Sequence, residues 1–227
     1  VYMFEYQNMA KYYDLFYKNK SYEKEVDFLK NLIGNRKTIL DVGCGTGIHM
    51  NLLENQYKVD GLDLSYQMLE IAKSRVIGKL MQGNLLNYKT NKKYDAIISM
   101  FAVFNHLKNY DEFEQGILHW YNNLNENGIL IVDIHNGRTS GKKESNYEQY
   151  KRIMEWTFNT EKSIETTNIT YIINNKVYKD KHIFIIYEID KIKDILNKNN
   201  LKYQLYENYS MNNANYNSKN IEIVIYK

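Results

Sequence analysis

The stretch TILDVGCGTGIHMNLL, residues 38–53, decides the fold. A short apolar run, TILDV, is followed directly by three glycines at alternate positions and then by a helical pattern. Gly43, Gly45 and Gly47 can adopt positive φ and place no side chain between the backbone and a ligand. In an open parallel sheet, ligands bind beyond the carboxyl ends of the strands. The stretch therefore predicts a first strand, a ligand-binding turn and a helix.

Two classes of ligand compete for this turn. A dinucleotide fold requires G-x-G-x-x-G, but Ile48 stands where the third glycine of that pattern should be. Asp63, in GLDLS, lies 22 residues after Asp41 and suits a ribose hydroxyl in either class. A phosphate-binding P-loop is excluded because no Lys-Ser or Lys-Thr pair follows the turn. The spacing argues against a dinucleotide.

Sequence patterns typical of helices and of strands alternate from residue 21 to residue 135. Short apolar runs separated by amphipathic segments predict a parallel sheet that is covered on both faces. The fifth strand, GILIVDIH, follows the predicted turn NENG. From 162 to 189, polar residues alternate with β-branched or aromatic ones around Asn174-Asn175, which predicts antiparallel strands. The ending NIEIVIYK predicts a last strand.

The composition limits the classes of function. The 227 residues carry a formal charge of +3 and their lysines are scattered, so we expect no nucleic-acid partner. No segment approaches the roughly 20 apolar residues that cross a bilayer, and we expect neither a membrane partner nor a signal peptide. The single cysteine, Cys44, fits a cytoplasmic protein. Histidines and acids show no metal-ligand spacing, so no metal is expected.

Five motifs in order make the sequence similar to the class I S-adenosylmethionine-dependent methyltransferases. They are ILDVGCGTG, VDGLDLS, MQGNLLNY, YDAIISMF and LNENGILIVD, all between residues 39 and 133. The resemblance implies an α/β, Rossmann-like fold with a seven-stranded, mostly parallel sheet and an antiparallel last strand. The alternating pattern after the fifth strand predicts an antiparallel β insertion in this fold. We expect a cofactor-binding core at 1–135 and 188–227, and a β-rich acceptor-binding cap at 136–187.

The resemblance also implies which residues bind the cofactor. Asp41 and the glycine turn would cradle the methionine part of S-adenosylmethionine, and Asp63 would bind both ribose hydroxyls. Asn84 stands where the family usually has aspartate, and its carbonyl can still accept a hydrogen bond from the adenine amino group. The predicted cofactor contacts are Tyr6, Tyr13, Tyr22, Asp41, Gly43, Cys44, Gly45, Gly47, Asp63, Leu64, Met68, Asn84, Leu85 and Met100.

Three segments narrow the likeness to the N-methyltransferases that act on nucleotide-linked amino sugars: AKYYDLFY, CGTGIHMNLL and SMFAVFNHL. Methyl displacement from a sulfonium requires alignment of the two reactants, and an amine acceptor must also lose a proton, which a histidine can take. His106, after the fourth strand, is the predicted catalytic or acceptor-orienting residue; the alternative is a loop histidine that packs or caps a helix. His135, at the end of the fifth strand, is a second candidate.

Three functions remain open at this point. The first is methyl transfer to the amine of a small-molecule acceptor, such as a nucleotide-activated sugar, by a monomer or homodimer that releases S-adenosylhomocysteine. The second is transfer to a hydroxyl acceptor, with His106 as the base. The third is a non-catalytic module that only binds the cofactor. The aromatic residues 12, 13, 16 and 17 are interpreted as a cofactor lid, the alternative being one apolar helix face.

Overall fold

The computed structural model describes residues 10–18 and 20–227. The helices are Ala10–Tyr17 (α1), Tyr22–Ile33 (α2), Ile48–Leu53 (α3), Tyr66–Ala72 (α4), Tyr110–Asn122 (α5) and Ile189–Lys198 (α6), with a 3₁₀ helix at Val103–His106. The strands are Thr38–Val42 (β1), Lys58–Asp63 (β2), Leu80–Gln82 (β3), Tyr94–Ser99 (β4), Leu124–His135 (β5), Gly141–Asn146 (β6), Lys151–Asn159 (β7), Ile164–Ile173 (β8), Lys176–Ile185 (β9), Lys202–Glu207 (β10) and Asn220–Tyr226 (β11). None of the helices in these ranges combines the length and the apolar character needed to cross a membrane.

Seven strands form the central sheet, in the order β10-β11-β5-β4-β1-β2-β3. Strands β1 to β5 pair in parallel, whereas β11 is antiparallel to both of its neighbours, β5 and β10. This topology confirms the predicted Rossmann-like sheet with an antiparallel last strand. The strand order reverses between β1 and β4, and a site at the carboxyl ends of the strands is expected beside that reversal.

Apolar side chains cover both faces of the central sheet. One core joins the sheet to α5 and α6, where Phe113, Trp120 and Ile192 are fully buried. The other joins it to α2 and α3, where Leu29 and Met50 are fully buried. Because the central strands are buried on both faces, their sequences read as continuous apolar runs rather than as an alternating pattern.

Strand β5 begins four residues before the predicted start at Gly128. Its first residue, Leu124, pairs with Tyr94, and the next pair in register is Ala96 with Ile129. Two residues of β4 therefore face five of β5, and the extra length forms a bulge in which Asn127 has a φ of 61°. The segment NENG, predicted as a turn before the strand, lies in this bulge.

A second sheet follows β5, with the antiparallel strand order β6-β7-β8-β9. Asn174 and Asn175 join β8 to β9 with φ values of 49° and 63°, so the predicted turn is confirmed. The sheet spans 141–185, inside the predicted insertion. The domain boundaries at 136 and 187 stay a prediction.

Helix α1 contacts both sheets. The ring of Phe16 stacks on that of Tyr171 in β8 at 3.6 Å between centroids, and the Tyr150 hydroxyl donates to the Phe16 carbonyl at 3.2 Å. On its other side, Asp14 accepts a hydrogen bond from the Thr46 hydroxyl at 2.7 Å and pairs with Arg75. The helix therefore lies across the gap between the glycine turn and the second sheet.

Candidate cofactor and acceptor site

A cavity of about 410 Å³ lies at the carboxyl ends of β1, β2 and β4, within the size range of small-molecule sites. It runs from the glycine turn past the end of β2 to the 3₁₀ helix, and Ile183 of β9, in the second sheet, also lines it. Twelve of the fifteen predicted site residues line it: Tyr13, Tyr22, Gly43, Cys44, Gly45, Asp63, Leu64, Met68, Asn84, Leu85, Met100 and His106.

Of the other three predicted residues, Gly47 and Asp41 do not line the cavity. Tyr6 lies outside the described residues. Gly47 ends the turn, and Asp41 is buried beneath it with 1% of its surface exposed. Neither carboxylate oxygen of Asp41 has a hydrogen-bond partner in the described part of the chain, and burial raises its pKa to about 7. The cofactor roles of these residues stay predictions.

The glycine turn has a backbone that only glycine adopts freely. Gly43, Gly45 and Gly47 have φ values of 80°, 54° and 77°. A Cβ built on Gly43 would stand 2.5 Å from Val103, whereas one built on Gly45 would meet no atom within 4 Å. At Gly45, therefore, the absent side chain leaves space rather than relieving a contact within the protein.

Asp63 organises the turn from the end of β2. One carboxylate oxygen accepts the Gly45 N–H at 2.8 Å, and the other accepts the Ser65 N–H at the same distance. Burial raises the pKa of Asp63, and these backbone donors oppose the increase. Each carboxylate oxygen keeps a second lone pair, so the group can also accept hydrogen bonds from a pair of hydroxyls.

Beyond Asp63, the lining of the cavity is mainly apolar and includes one side-chain amide, that of Asn84. Met68 is almost fully buried and Leu64 and Leu85 are half-buried, which provides surface for a flat ring. The Asn84 carbonyl oxygen already accepts the Leu86 N–H at 2.9 Å. One lone pair remains for a ligand, so the predicted contact to an adenine amino group is compatible with this geometry.

The aromatic residues of α1 divide between the two interpretations given by the sequence. Tyr13 lines the cavity, as a lid residue would. Tyr12 and Phe16 instead belong to the aromatic cluster against the second sheet, and Tyr17 packs edge-on against Phe101 at 4.9 Å. Tyr22, in α2, also lines the cavity and packs edge-on against His49.

The segment after β4 is held in a strained conformation. Phe101 and Ala102 have φ values of 70° and 60°, a left-handed conformation that costs about 1–2 kcal/mol per non-glycine residue. Asp133 in β5 accepts the Ala102 N–H at 2.6 Å, and the Tyr209 hydroxyl donates to its other oxygen at 2.5 Å. Asp133 was not among the predicted site residues. The sequence feature that could have indicated it is a lone acid within the apolar run ILIVDIH.

His106 lies at the end of this segment and lines the cavity. Its ring packs edge-on against Phe184 of β9 at 4.8 Å between centroids. The neighbouring Asn105 is fully buried; it donates to the carbonyls of His135 and Ile185 and accepts the His135 N–H, at 2.7–2.9 Å. Burial lowers the pKa of His106 to about 4, and the nearby His182 adds to the lowering.

The remaining histidines have other surroundings. His135 lies 3.2 Å from Glu165 and does not line the cavity. His49 lines the cavity but contacts Glu25 at 2.8 Å. His119, in α5, forms a hydrogen bond with the Tyr88 carbonyl at 2.8 Å and does not line the cavity. Within the described ranges, no group of three or more His, Cys, Asp or Glu side chains could hold a metal ion.

The arrangement fits a sulfonium nucleoside such as S-adenosylmethionine. The open space at Gly45 admits a ligand against the backbone, and Asp63 offers carboxylate lone pairs beside that space. The surface around Met68 and Leu85 accommodates a base, and Met100 and His106 line the other part of the cavity. The cavity therefore has one end formed by the glycine turn and Asp63 and another end lined by Met100 and His106.

Known proteins match both the sequence and the fold. Residues 39–128 match the family model described as a methyltransferase domain. A dTDP-3-amino-3,4,6-trideoxy-alpha-D-glucopyranose N,N-dimethyltransferase from Streptomyces venezuelae is 31% identical over 132 residues, 55% of this chain and 56% of that protein. A dTDP-3-amino-3,6-dideoxy-alpha-D-glucopyranose N,N-dimethyltransferase from Streptomyces fradiae is 29% identical over 133 residues, 55% of this chain and 52% of that protein. The match thus spans about half the length of these curated relatives.

Solved structures match over nearly the whole chain. An S-adenosylmethionine-dependent methyltransferase from Clostridium acetobutylicum superposes with a TM-score of 0.84 at 20% identity, covering 97% of this chain and 98% of the other. CalS10, an amino pentose methyltransferase from Micromonospora echinaspora, superposes with a TM-score of 0.76 at 17% identity, covering 92% and 93%. The predicted resemblance is confirmed: the chain carries a methyltransferase domain and has the fold of the S-adenosylmethionine-dependent methyltransferases.

Proposed function

We propose that this protein transfers a methyl group from S-adenosylmethionine to the amine of a small-molecule acceptor, a nucleotide-linked amino sugar. The observation that carries the proposal is that one continuous cavity extends from Gly45 and Asp63, which we call the cradle, to His106. The amino-sugar N,N-dimethyltransferases similar to this chain support the acceptor class.

The low pKa of His106 favours an amine over a hydroxyl as the acceptor group. When bound, the cofactor supplies a methyl on a positively charged sulfur; an amine lone pair forms the nitrogen–carbon bond as the carbon–sulfur bond breaks and the sulfur keeps the electron pair. A neutral amine needs no base in this step, whereas a hydroxyl must lose its proton. With a pKa of about 4, His106 is a weak base at neutral pH but a competent hydrogen-bond acceptor. We therefore assign it the orienting role.

The second sheet is proposed as the acceptor-binding cap. Its strand β9 brings Ile183 to the cavity and Phe184 against His106. Helix α1 packs against the second sheet through the aromatic cluster around Tyr171. An acceptor held under this sheet would present its amine at the same edge as His106.

The proposal is tested by methyl transfer from isotope-labelled S-adenosylmethionine, with products located by mass spectrometry. The acceptor panel pairs each nucleotide-linked amino sugar with the same compound carrying a hydroxyl in place of the amine, and with the amino sugar lacking its nucleotide. We expect label on nitrogen and none on the hydroxyl analogues. Label only on oxygen would refute the amine assignment. Tight S-adenosylhomocysteine binding without transfer to any acceptor would favour a non-catalytic module.

Gly45→Ala is expected to weaken S-adenosylhomocysteine binding at least about tenfold, because the added methyl enters space that the protein leaves open to the ligand. Gly34→Ala is the matched control. Gly34 also has a positive φ, 59°, and open space around a Cβ, but it ends α2 away from the cavity. Calorimetry and thermal melts measure the two variants. Equal losses of affinity in Gly45→Ala and Gly34→Ala, or unchanged affinity in Gly45→Ala, would contradict the proposal that the cofactor lies against Gly45.

A further inference from the structure

Two buried carboxylates face each other in the central sheet. Asp133 of β5 and Glu222 of β11 stand directly opposite in the antiparallel register, with 2% and 0% of their surfaces exposed. Opposite residues of such strands have Cβ atoms about 4.5–5.5 Å apart, and like charges at this spacing destabilise a sheet. Two ionised carboxylates at these positions would therefore repel each other in a place that water does not reach.

Tyr209 joins both acids to the segment that follows β4. Its hydroxyl donates to one oxygen of Asp133 at 2.5 Å, and its backbone N–H donates to the Oε2 atom of Glu222 at 3.0 Å. The other oxygen of Asp133 accepts the Ala102 N–H at 2.6 Å. A continuous chain of hydrogen bonds therefore runs from Glu222 through Tyr209 and Asp133 to Ala102.

The segment held by Asp133 forms part of the wall of the cavity. Met100, Phe101 and Val103 line the cavity, and Ala102 lies among them. Phe101 and Ala102 have positive φ values, a conformation that is costly for residues other than glycine, so the segment depends on the hydrogen bond to Asp133. Movement of Asp133 would release the segment and displace this wall.

Glu222 carries its proton at neutral pH. Its Oε1 atom is buried and has no hydrogen-bond partner among the residues that the structure describes. Burial raises the pKa of Glu222 to about 8; the charge of Asp133 adds to the increase, and the Tyr209 N–H opposes it. The other charged groups that face the two acids lie on α2 and directly before it: Lys20, Lys24 and Glu25. Glu222 therefore becomes ionised only as the pH rises through about 8.

We propose that Tyr209 is a positioning residue for methyl transfer. With a neutral Glu222, it holds Asp133 in place, and Asp133 in turn fixes the Phe101–Ala102 segment of the cavity wall. Ionisation of Glu222 places a second negative charge opposite Asp133, and the two charges repel strongly in a medium of low dielectric. The displacement reaches the cavity wall through Tyr209, and cofactor affinity falls. This rests on the part of the proposed function that places S-adenosylmethionine in the cavity, and not on the acceptor.

The test compares the native protein with Glu222→Gln by calorimetry of S-adenosylhomocysteine binding between pH 6 and pH 9.5. Glutamine keeps an oxygen for the Tyr209 N–H but never ionises, so we expect equal affinities at pH 7. At pH 9.5 we expect the native protein to bind at least about threefold more weakly than the variant, because its Glu222 is then charged. The ratio of the two dissociation constants cancels the ionisation of the ligand.

Stability is a second measure of the same ionisation. The pKa of Glu222 is raised from 4.5, so the folded state keeps a proton that the unfolded state loses, and the free energy of unfolding falls as the pH rises from 4.5 to about 8. Glu222→Gln lacks this loss. Its advantage over the native protein in denaturant titrations should grow across that range and level off above it. An advantage that does not grow overturns the proposal.

Tyr209→Phe removes only the hydroxyl that holds Asp133, and we expect about tenfold weaker S-adenosylhomocysteine binding at pH 7. Tyr206→Phe is the matched control and should bind as the native protein does. Both rings pack edge-on against Phe28, at 5.9 Å for Tyr206 and 6.3 Å for Tyr209, but the Tyr206 hydroxyl bonds to Tyr226 rather than to an acid.

Two results would overturn this proposal alone: equal affinities of the two tyrosine variants, or a ratio of native to Glu222→Gln dissociation constants that stays at one up to pH 9.5. If Tyr209→Phe does not fold, the Glu222→Gln comparison decides. A native protein that binds no S-adenosylhomocysteine at any pH would overturn the proposed function as well.

Discussion

Asp63→Ala is expected to weaken S-adenosylhomocysteine binding by at least about 100-fold, the largest effect on affinity that we expect from a single substitution. The carboxylate accepts the Gly45 and Ser65 N–H groups and so fixes the turn on which a ligand would rest. It also offers its remaining lone pairs to ribose hydroxyls. Hydrogen bonds to a charged group contribute about 1.5–3 kcal/mol each, and the loss of two corresponds to at least the stated factor. Calorimetry measures the affinity directly.

Asp60→Ala is the control for this substitution. Asp60 lies on the same strand, accepts hydrogen bonds from the Tyr94 hydroxyl and the Lys79 N–H, and does not line the cavity. We expect it to lower thermal stability while leaving affinity within about threefold of native, a change smaller than 1 kcal/mol. An Asp63→Ala protein that is folded and binds as tightly as the control would remove the basis of the cofactor site. Saturable binding of a nicotinamide dinucleotide would do the same.

The sequence could predict the parts of the fold that depend on local backbone chemistry. Three alternate glycines predict a left-handed turn because few other residues adopt it, and φ values of 54–80° confirm this. Buried strands such as β1 and β4 read as continuous apolar runs, which are easily recognised. Strand β6 was not predicted because GKKESN is polar and mostly exposed at a sheet edge, so it has no apolar alternation to detect.

The supports of the candidate site could not be predicted, since their partners are distant in sequence. Asn105 holds His135 and Ile185, which are 30 and 80 residues away, and Asp133 is bonded to Tyr209, 76 residues away. His182 lies near His106 because β9 packs against the 3₁₀ helix. A single sequence shows the residue types but not which sheet edge or strand face they share. The low pKa of His106 depends entirely on such contacts.

His106→Ala is expected to reduce kcat for methyl transfer by about 100-fold while leaving S-adenosylhomocysteine affinity unchanged. The reason is loss of alignment, because a small displacement of a reacting group can cost about two orders of magnitude in rate. His106→Asn should retain more activity, since its amide oxygen can still accept a hydrogen bond from the amine. The measurements are steady-state kinetics on the best amine of the acceptor panel and calorimetry on the same preparations.

The pH dependence separates orientation from base catalysis. Because the pKa of His106 is lowered to about 4, the ring is neutral from pH 5 upward, and its contribution is lost only as the pH falls through 4. Between pH 5 and 9 we therefore expect kcat/KM of the native protein and of His106→Asn to follow the same curve, set by ionisation of the acceptor amine. A native profile with an extra inflection near 6.5, absent in His106→Asn, would show that His106 acts as a base. A His106→Ala protein with native kcat, beside an equally active His119→Ala control, would exclude either role.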